Sequence, residues 1–184
     1  SSAEFLPFGD LRTILSATSP LVVLLDDLGQ TPLLVQTAFM HLVHAREING
    51  VRIPDCVRFV AATNGTKDAA GVSGIIEPLK SRFDSIIHVD ADLEAWCRWA
   101  SIEGVDRIAP EVVGFLRFAP QYFSVFKPTK ELVQSPSPRM WESASKFIRI
   151  GLKTNMEVFT GCVGSEAAAM LIPFLELTTK LPTI

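Results

Sequence analysis

Cysteine is scarce in this 184-residue sequence, positive charge is not in excess, and no long unbroken apolar run occurs. Cys56, Cys97 and Cys162 lie far apart and form no CxxC pair, which argues against a zinc site or a disulfide framework and favours reduced thiols. With 17 basic and 20 acidic residues the net charge is −3, so bulk electrostatic attraction to nucleic acid is excluded and such a role would need a local patch. The most apolar stretch, AAAMLIPFLEL, is interrupted by Pro173 and Glu176 and falls short of the about 18 apolar residues of a membrane span. The opening SSAEFLPFGDLR has no charged n-region followed by an apolar core, and a cytoplasmic protein is expected.

What is present is enough apolar material, 48% of residues, for one sizeable core or a core with a small satellite. Leu21 to Asp27, LVVLLDD, reads as a strand buried on both faces that stops at two adjacent carboxylates. Before it, Asp10 can cap a short helix with Leu11, Ile14 and Leu15 on one face. After it, Thr31-Pro32 signals a helix running to about Glu47, with Leu34, Val35, Ala38, Phe39, Leu42 and Val43 as its apolar face. Asn49-Gly50 predicts a turn, Val57 to Ala62 a second buried strand, Gly65 to Gly74 a loop, and Ser85 to Val89 a third strand after a short helix from about Ile75. Three strands separated by helices predict a parallel α/β layer. From Asp92 onward the signals are helical, over 93–101, 111–118, 139–150 and 165–177, with joints at Lys127-Pro128 and 135–138. A domain boundary is expected near Ala91, giving parts 1–91 and 92–184.

Four segments, in this order, resemble an AAA+ ATPase of the bacterial MoxR-like branch. Leu21 to Asp27 resembles its Walker B strand, Ala61-Ala62-Thr63-Asn64 its sensor 1 strand end, Leu79-Lys80-Ser81-Arg82-Phe83 its arginine-finger segment, and Ser137-Pro138-Arg139 with Trp141 the start of its sensor 2 helix. The fold implied is α/β: an incomplete parallel three-layer AAA+ P-loop core followed by an α-helical lid subdomain. The activity implied is ATP hydrolysis with Mg²⁺, coupled to chaperone-like remodelling or assembly of a protein partner by a homo-oligomeric, hexameric ring.

By that resemblance Asp26 would hold Mg²⁺ through a coordinated water and Asp27 would orient the attacking water. The family most often has glutamate at the second position, so the shorter Asp27 implies a closer water or slower hydrolysis. Asn64 would sense the γ-phosphate, Arg82 or alternatively Lys80 would act in trans on a neighbour's nucleotide, and Arg139 would couple the lid to nucleotide state. Each has a plainer reading: solvated strand end for the aspartates, turn residue for Asn64, surface ion pair for Lys80 or Arg82, solvent-facing helix residue for Arg139.

The sequence contains no GxxxxGK[ST] phosphate loop. In the family, the strand before that loop lies between the sensor 1 strand and the strand after the finger, so those two strands are expected to lack a shared neighbour. Each backbone group left unpaired there would cost about 1–3 kcal/mol, and a front segment, absent or supplied by another chain, is expected. Four other readings bear on these residues. A non-catalytic module borrowing the fold is the main alternative, supported by the missing loop and by Asp27. A receiver domain also binds Mg²⁺ at an acidic strand end, but here the next strand ends in Thr63-Asn64 rather than a phosphoacceptor aspartate. His41, His44 and Glu47 at spacings of three are read as a polar helix edge rather than a metal site, and Trp96, Trp99 and Trp141 as packing residues rather than base-stacking platforms.

Overall fold

A computed structural model describes residues 8–65, 74–125 and 131–178. Most of the expected Gly65 to Gly74 loop and the Lys127-Pro128 joint lie outside the described residues. The chain divides into two compact units, Ser1–Ile87 and His88–Ile184.

The first unit is mixed α/β, and its central pairing follows from two apolar runs of equal length. α1 (Asp10–Leu15) leads to β1 (Leu21–Leu25), which pairs in parallel with β4 (Val57–Ala61) in the register Leu21 with Val57 through Leu25 with Ala61. Between them run α2 (Leu33–Ala45) and an antiparallel hairpin of β2 (Glu47–Ile48) and β3 (Val51–Arg52). Asn49 and Gly50 both take positive φ, as a two-residue hairpin turn requires. Arg46 ends α2 in the left-handed region and donates to the carbonyls of Pro54 and Val57 at 2.8 and 3.0 Å, which pins the hairpin to β4.

Ile14, Ile53 and Val57 form the buried centre of this unit, with Leu21, Val23, Leu42, Ile48 and Phe59 packed around them. α1, α2 and the hairpin therefore cover one face of the strand pair. The opposite face carries Val22, Leu24 and Val60, which are 65%, 58% and 49% exposed. The three-layer core expected from the sequence is thus two layers among the described residues.

Three further expectations need correction. Ser85 to Val89 is not a strand: it has no strand partner among the described residues, and Ile86, Ile87 and Val89 are 64%, 80% and 90% exposed. An extended run without a neighbour has nowhere to place its backbone donors and acceptors except in water, so apolar composition alone does not make it a strand. Asp10 makes no capping hydrogen bond, because Gly9 occupies the cap position and Asp10 is already helical. In the first half of α2 the apolar stripe is exposed, with Leu33, Leu34 and Val35 facing solvent, while Gln36 is the helix's buried residue.

The second unit is helical. α3 is the short Glu77–Lys80 turn of the first unit; α4 (Leu93–Ile102), α5 (Pro110–Phe118), α6 (Pro138–Arg149) and α7 (Met156–Thr178) build the second. Side chains open two of these helices: Asp92 accepts from Ala95 N–H at 2.9 Å and Ser137 from Met140 N–H at 3.4 Å. Val112, Phe115, Trp141, Ala144, Phe159, Val163 and Leu171 meet in one core. Trp141 is fully buried and its indole N–H donates to the carbonyls of Tyr122 and Phe123 at 2.9 and 3.1 Å, which satisfies its one polar atom.

α7 is long and apolar enough to cross a membrane by length and composition, yet its helical geometry breaks at Gly164 (φ 78, ψ 161) and its residues Phe159 to Leu175 supply much of the core. The break has a steric cause: a Cβ on Gly164 would sit 3.1 Å from the Gln134 carbonyl oxygen, and the positive φ disfavours any L side chain. Gly164→Ala is expected to lower unfolding stability by about 1–3 kcal/mol, read by urea denaturation, whereas an unchanged midpoint would show that the break is not required.

On α5, Glu111 accepts from Lys153 Nζ at 2.8 Å. Burial pushes its carboxyl up, but the Lys153 hydrogen bond, its own backbone N–H and the charges of Lys153 and Arg149 outweigh that and hold it below the ordinary range. A carboxyl lowered on folding stabilises above its unfolded value of about 4.3 and loses that contribution as pH falls through the lower folded value. Melting curves between neutral and acidic pH should therefore show a decline that sets in as pH falls below about 4.3 and that Glu111→Gln flattens; an identical profile in the variant would contradict this.

Candidate functional site at the strand ends

Because β1 and β4 are parallel and in register, their carboxyl ends emerge side by side, with Leu25 opposite Ala61. The ties continue past the strands. Ala62 N–H donates to the Leu25 carbonyl and Leu28 N–H to the Ala62 carbonyl, each at 3.0 Å. Gly29 N–H donates to Thr63 Oγ1 at 3.2 Å. Asp26 and Asp27 on one strand and Thr63 and Asn64 on the other are thereby held as one group at the edge where parallel sheets present ligand-binding residues.

Asp26, Asp27 and Asn64 are all exposed. Asp27 takes the left-handed conformation (φ 52, ψ 32), which aspartate tolerates better than most residues, and it turns the chain into the 3₁₀ segment Leu28–Gln30. Its N–H donates to Asp26 Oδ1 at 3.1 Å, and its own Oδ1 accepts from Gln30 Nε2 at 2.9 Å. Leu28 is fully buried beneath this turn. Gly29 has no room for a side chain, since a Cβ there would lie 2.3 Å from Thr63 Oγ1.

Lys80 and Arg82 differ in availability. Lys80 is ion-paired with Glu77 one turn earlier, whereas Arg82 is exposed and makes no side-chain hydrogen bond or ion pair among the described residues. The turn carrying Arg82 prolongs α3 through Ser81 N–H to the Glu77 carbonyl and Arg82 N–H to the Leu79 carbonyl, both at 3.1 Å, with Leu79 buried. Arg139 belongs to the second unit, as the second residue of α6, and is exposed. His41 and His44 lie on α2, but Glu47 begins β2, so the three do not share a helix.

Comparison with known protein families, with curated proteins and with solved structures finds no match to this chain. The chemistry must be argued from the group itself. Asp26 and Asp27 offer hard oxygen donors, and among the described residues the second oxygen of each carboxylate has no protein partner. That suits Mg²⁺, which takes one or two carboxylates and keeps several waters. Among the described residues no cluster of three or more His, Cys, Asp or Glu could hold a metal by protein ligands alone.

Sequence reasoning did not single out Gly29, Gln30 or Gln36, although they shape this site. Gln36 carried a usable signal: with Phe39 and Val43 it falls at spacings of three and four, so a polar residue stands in the stripe that turns inward. In the second unit a groove of 1170 Å³, bordered by Tyr122, Leu132, Val133, Thr160 and Gly164, contains none of the candidate residues.

The close approach of Gly29 to Thr63 makes a direct test. Gly29→Ala should destabilise the chain by about 1–3 kcal/mol, and Thr63→Ala should recover part of that loss in the double variant. Strictly additive effects in this cycle would mean that the two strand ends are not in contact.

Proposed function

We propose that this chain is part of an AAA+-type ATPase subunit of the MoxR-like branch, in which ATP hydrolysis drives remodelling or assembly of a protein partner within a homo-oligomeric ring. The observation that carries this reading is the tethered strand-end group: an acidic pair closing β1 beside Thr63-Asn64 closing a parallel β4. Mg²⁺–ATP would supply the electrophilic γ-phosphate and the metal charge that stabilises its transfer. Asp26 would bind the metal's water shell, Asp27 would accept a hydrogen bond from the attacking water, and the Asn64 amide would hold that water or a phosphate oxygen. Arg82, exposed and with no side-chain partner among the described residues, is better suited than Lys80 to reach a neighbouring subunit's nucleotide. Arg139 is assigned the lid contact on its place at the start of α6 alone.

A second reading, a non-catalytic module that borrows the fold, draws on a specific contact. The Gln30 amide engages the Asp27 carboxylate and the backbone there is left-handed, an arrangement that also serves as a plain turn lock.

Joining a strand, a GxxxxGK[ST] loop and a helix to the front of the chain separates the two. The ATPase reading expects Mg²⁺-dependent hydrolysis that Asp27→Asn lowers at least about 10²-fold and Arg82→Ala about 10³-fold. Mixing those two inactive variants should recover activity, because an intact Arg82 would then meet an intact Asp27 across an interface. Nucleotide binding without hydrolysis, or no binding, would instead favour the module.

A further inference from the structure

Gln36 is 1% exposed, and its side-chain amide makes three hydrogen bonds, one to the segment just before its helix and two to a segment distant in sequence. Nε2 donates to the Thr31 carbonyl at 3.1 Å and to the Gly74 carbonyl at 3.0 Å, and Oε1 accepts from Ile76 N–H at 3.0 Å. Ile76 is the cap residue of α3, and its carbonyl accepts from both Leu79 and Lys80 N–H at 3.0 Å. A buried amide with every partner in place fixes geometry more sharply than apolar contact does, because any shift strands a donor or acceptor.

The contacts continue in both directions. Towards the strand ends, Thr31 Oγ1 donates to the Leu28 carbonyl at 2.8 Å, and Leu28 N–H donates to the Ala62 carbonyl. Ile75 also lies against Gly29, 3.5 Å from where its Cβ would be. Towards α3, the cap leads within one turn to Lys80, Ser81 and Arg82. One glutamine thus stands between the acidic strand end and the arginine-bearing turn.

We infer that Gln36 is a positioning residue that registers the α3 turn, and with it Arg82, against the Asp26–Asn64 strand ends. The placement of Arg82 as a trans-acting group rests on the ATPase reading; the clasp itself does not. A change at the strand ends that moves Leu28 or Thr31 would be passed through Gln36 to the cap of α3, which gives a subunit a route for reporting its site to its interface.

The test is amide hydrogen exchange on the full chain, wild type against Gln36→Met, which keeps the side chain's length and removes all three hydrogen bonds. In the wild type the Ile76 amide should be protected to a degree comparable with Ala62 and Leu28. In Gln36→Met, exchange over 76–83 should rise roughly tenfold or more while the β1–β4 amides keep their protection. An unprotected Ile76 in the wild type, or a rise spread equally over β1 and β4, would overturn the assignment. In the protein joined to a phosphate-loop segment, Gln36→Met should lower kcat with KM for ATP unchanged, as a misplaced arginine would; a rise in KM alone would count against positioning. Absence of hydrolysis in the joined wild type would refute the ATPase reading by itself, and the exchange pattern would still decide whether Gln36 holds the turn.

Discussion

Everything at the candidate site depends on the parallel pairing of β1 with β4. Parallel strands deliver their carboxyl ends to one edge, and the register of Leu25 with Ala61 makes those ends level. A slip by one residue would turn Leu21 and Val23 away from Ile14 and Ile53 and put Val22 and Leu24 in their place, so burial on the covered face fixes the register. The same register sets Asp26 and Asp27 beside Thr63 and Asn64, and the Ala62, Leu28 and Gly29 amides keep them there.

That pairing also leaves an imbalance. Parallel sheets are ordinarily covered on both sides, and here Val22, Leu24 and Val60 form an apolar face that no described element covers. The unit's polar ties gather at the strand ends and at Gln36, a buried amide whose partners are in place. In the helical unit the division of labour differs: a single aromatic core around Phe115 and Trp141 carries the packing, and Gly164 lets α7 bend around Gln134.

Local signals were the ones the sequence made legible. The Asn49-Gly50 turn and the helices expected over 93–101, 111–118 and 139–150 were legible, because hydrogen bonds and side-chain spacing there are made locally. Ser85 to Val89 misled for the opposite reason, since a strand exists only with a neighbour and its apolar composition says nothing about whether one is present. α7 starts at Met156, well before the helix expected over 165–177, and its one non-helical residue, Gly164, lies directly before that expected start. The acidic pair and Asn64 were found because they close visible apolar runs. Gln36 stood in the inward stripe of its helix, but its partners at Gly74 and Ile76 lie 38 and 40 residues away and could not be read locally.

The proposal turns on Asp26 at the strand end holding a divalent cation through its water shell. The most direct measurement is Mn²⁺ titration of isotope-labelled chain by NMR, with Asp26→Asn as control. Selective broadening of the amides of 26–29 and 63–64, lost in the variant, is the result the account predicts. Broadening spread over other surface carboxylates, or unchanged in Asp26→Asn, would contradict it.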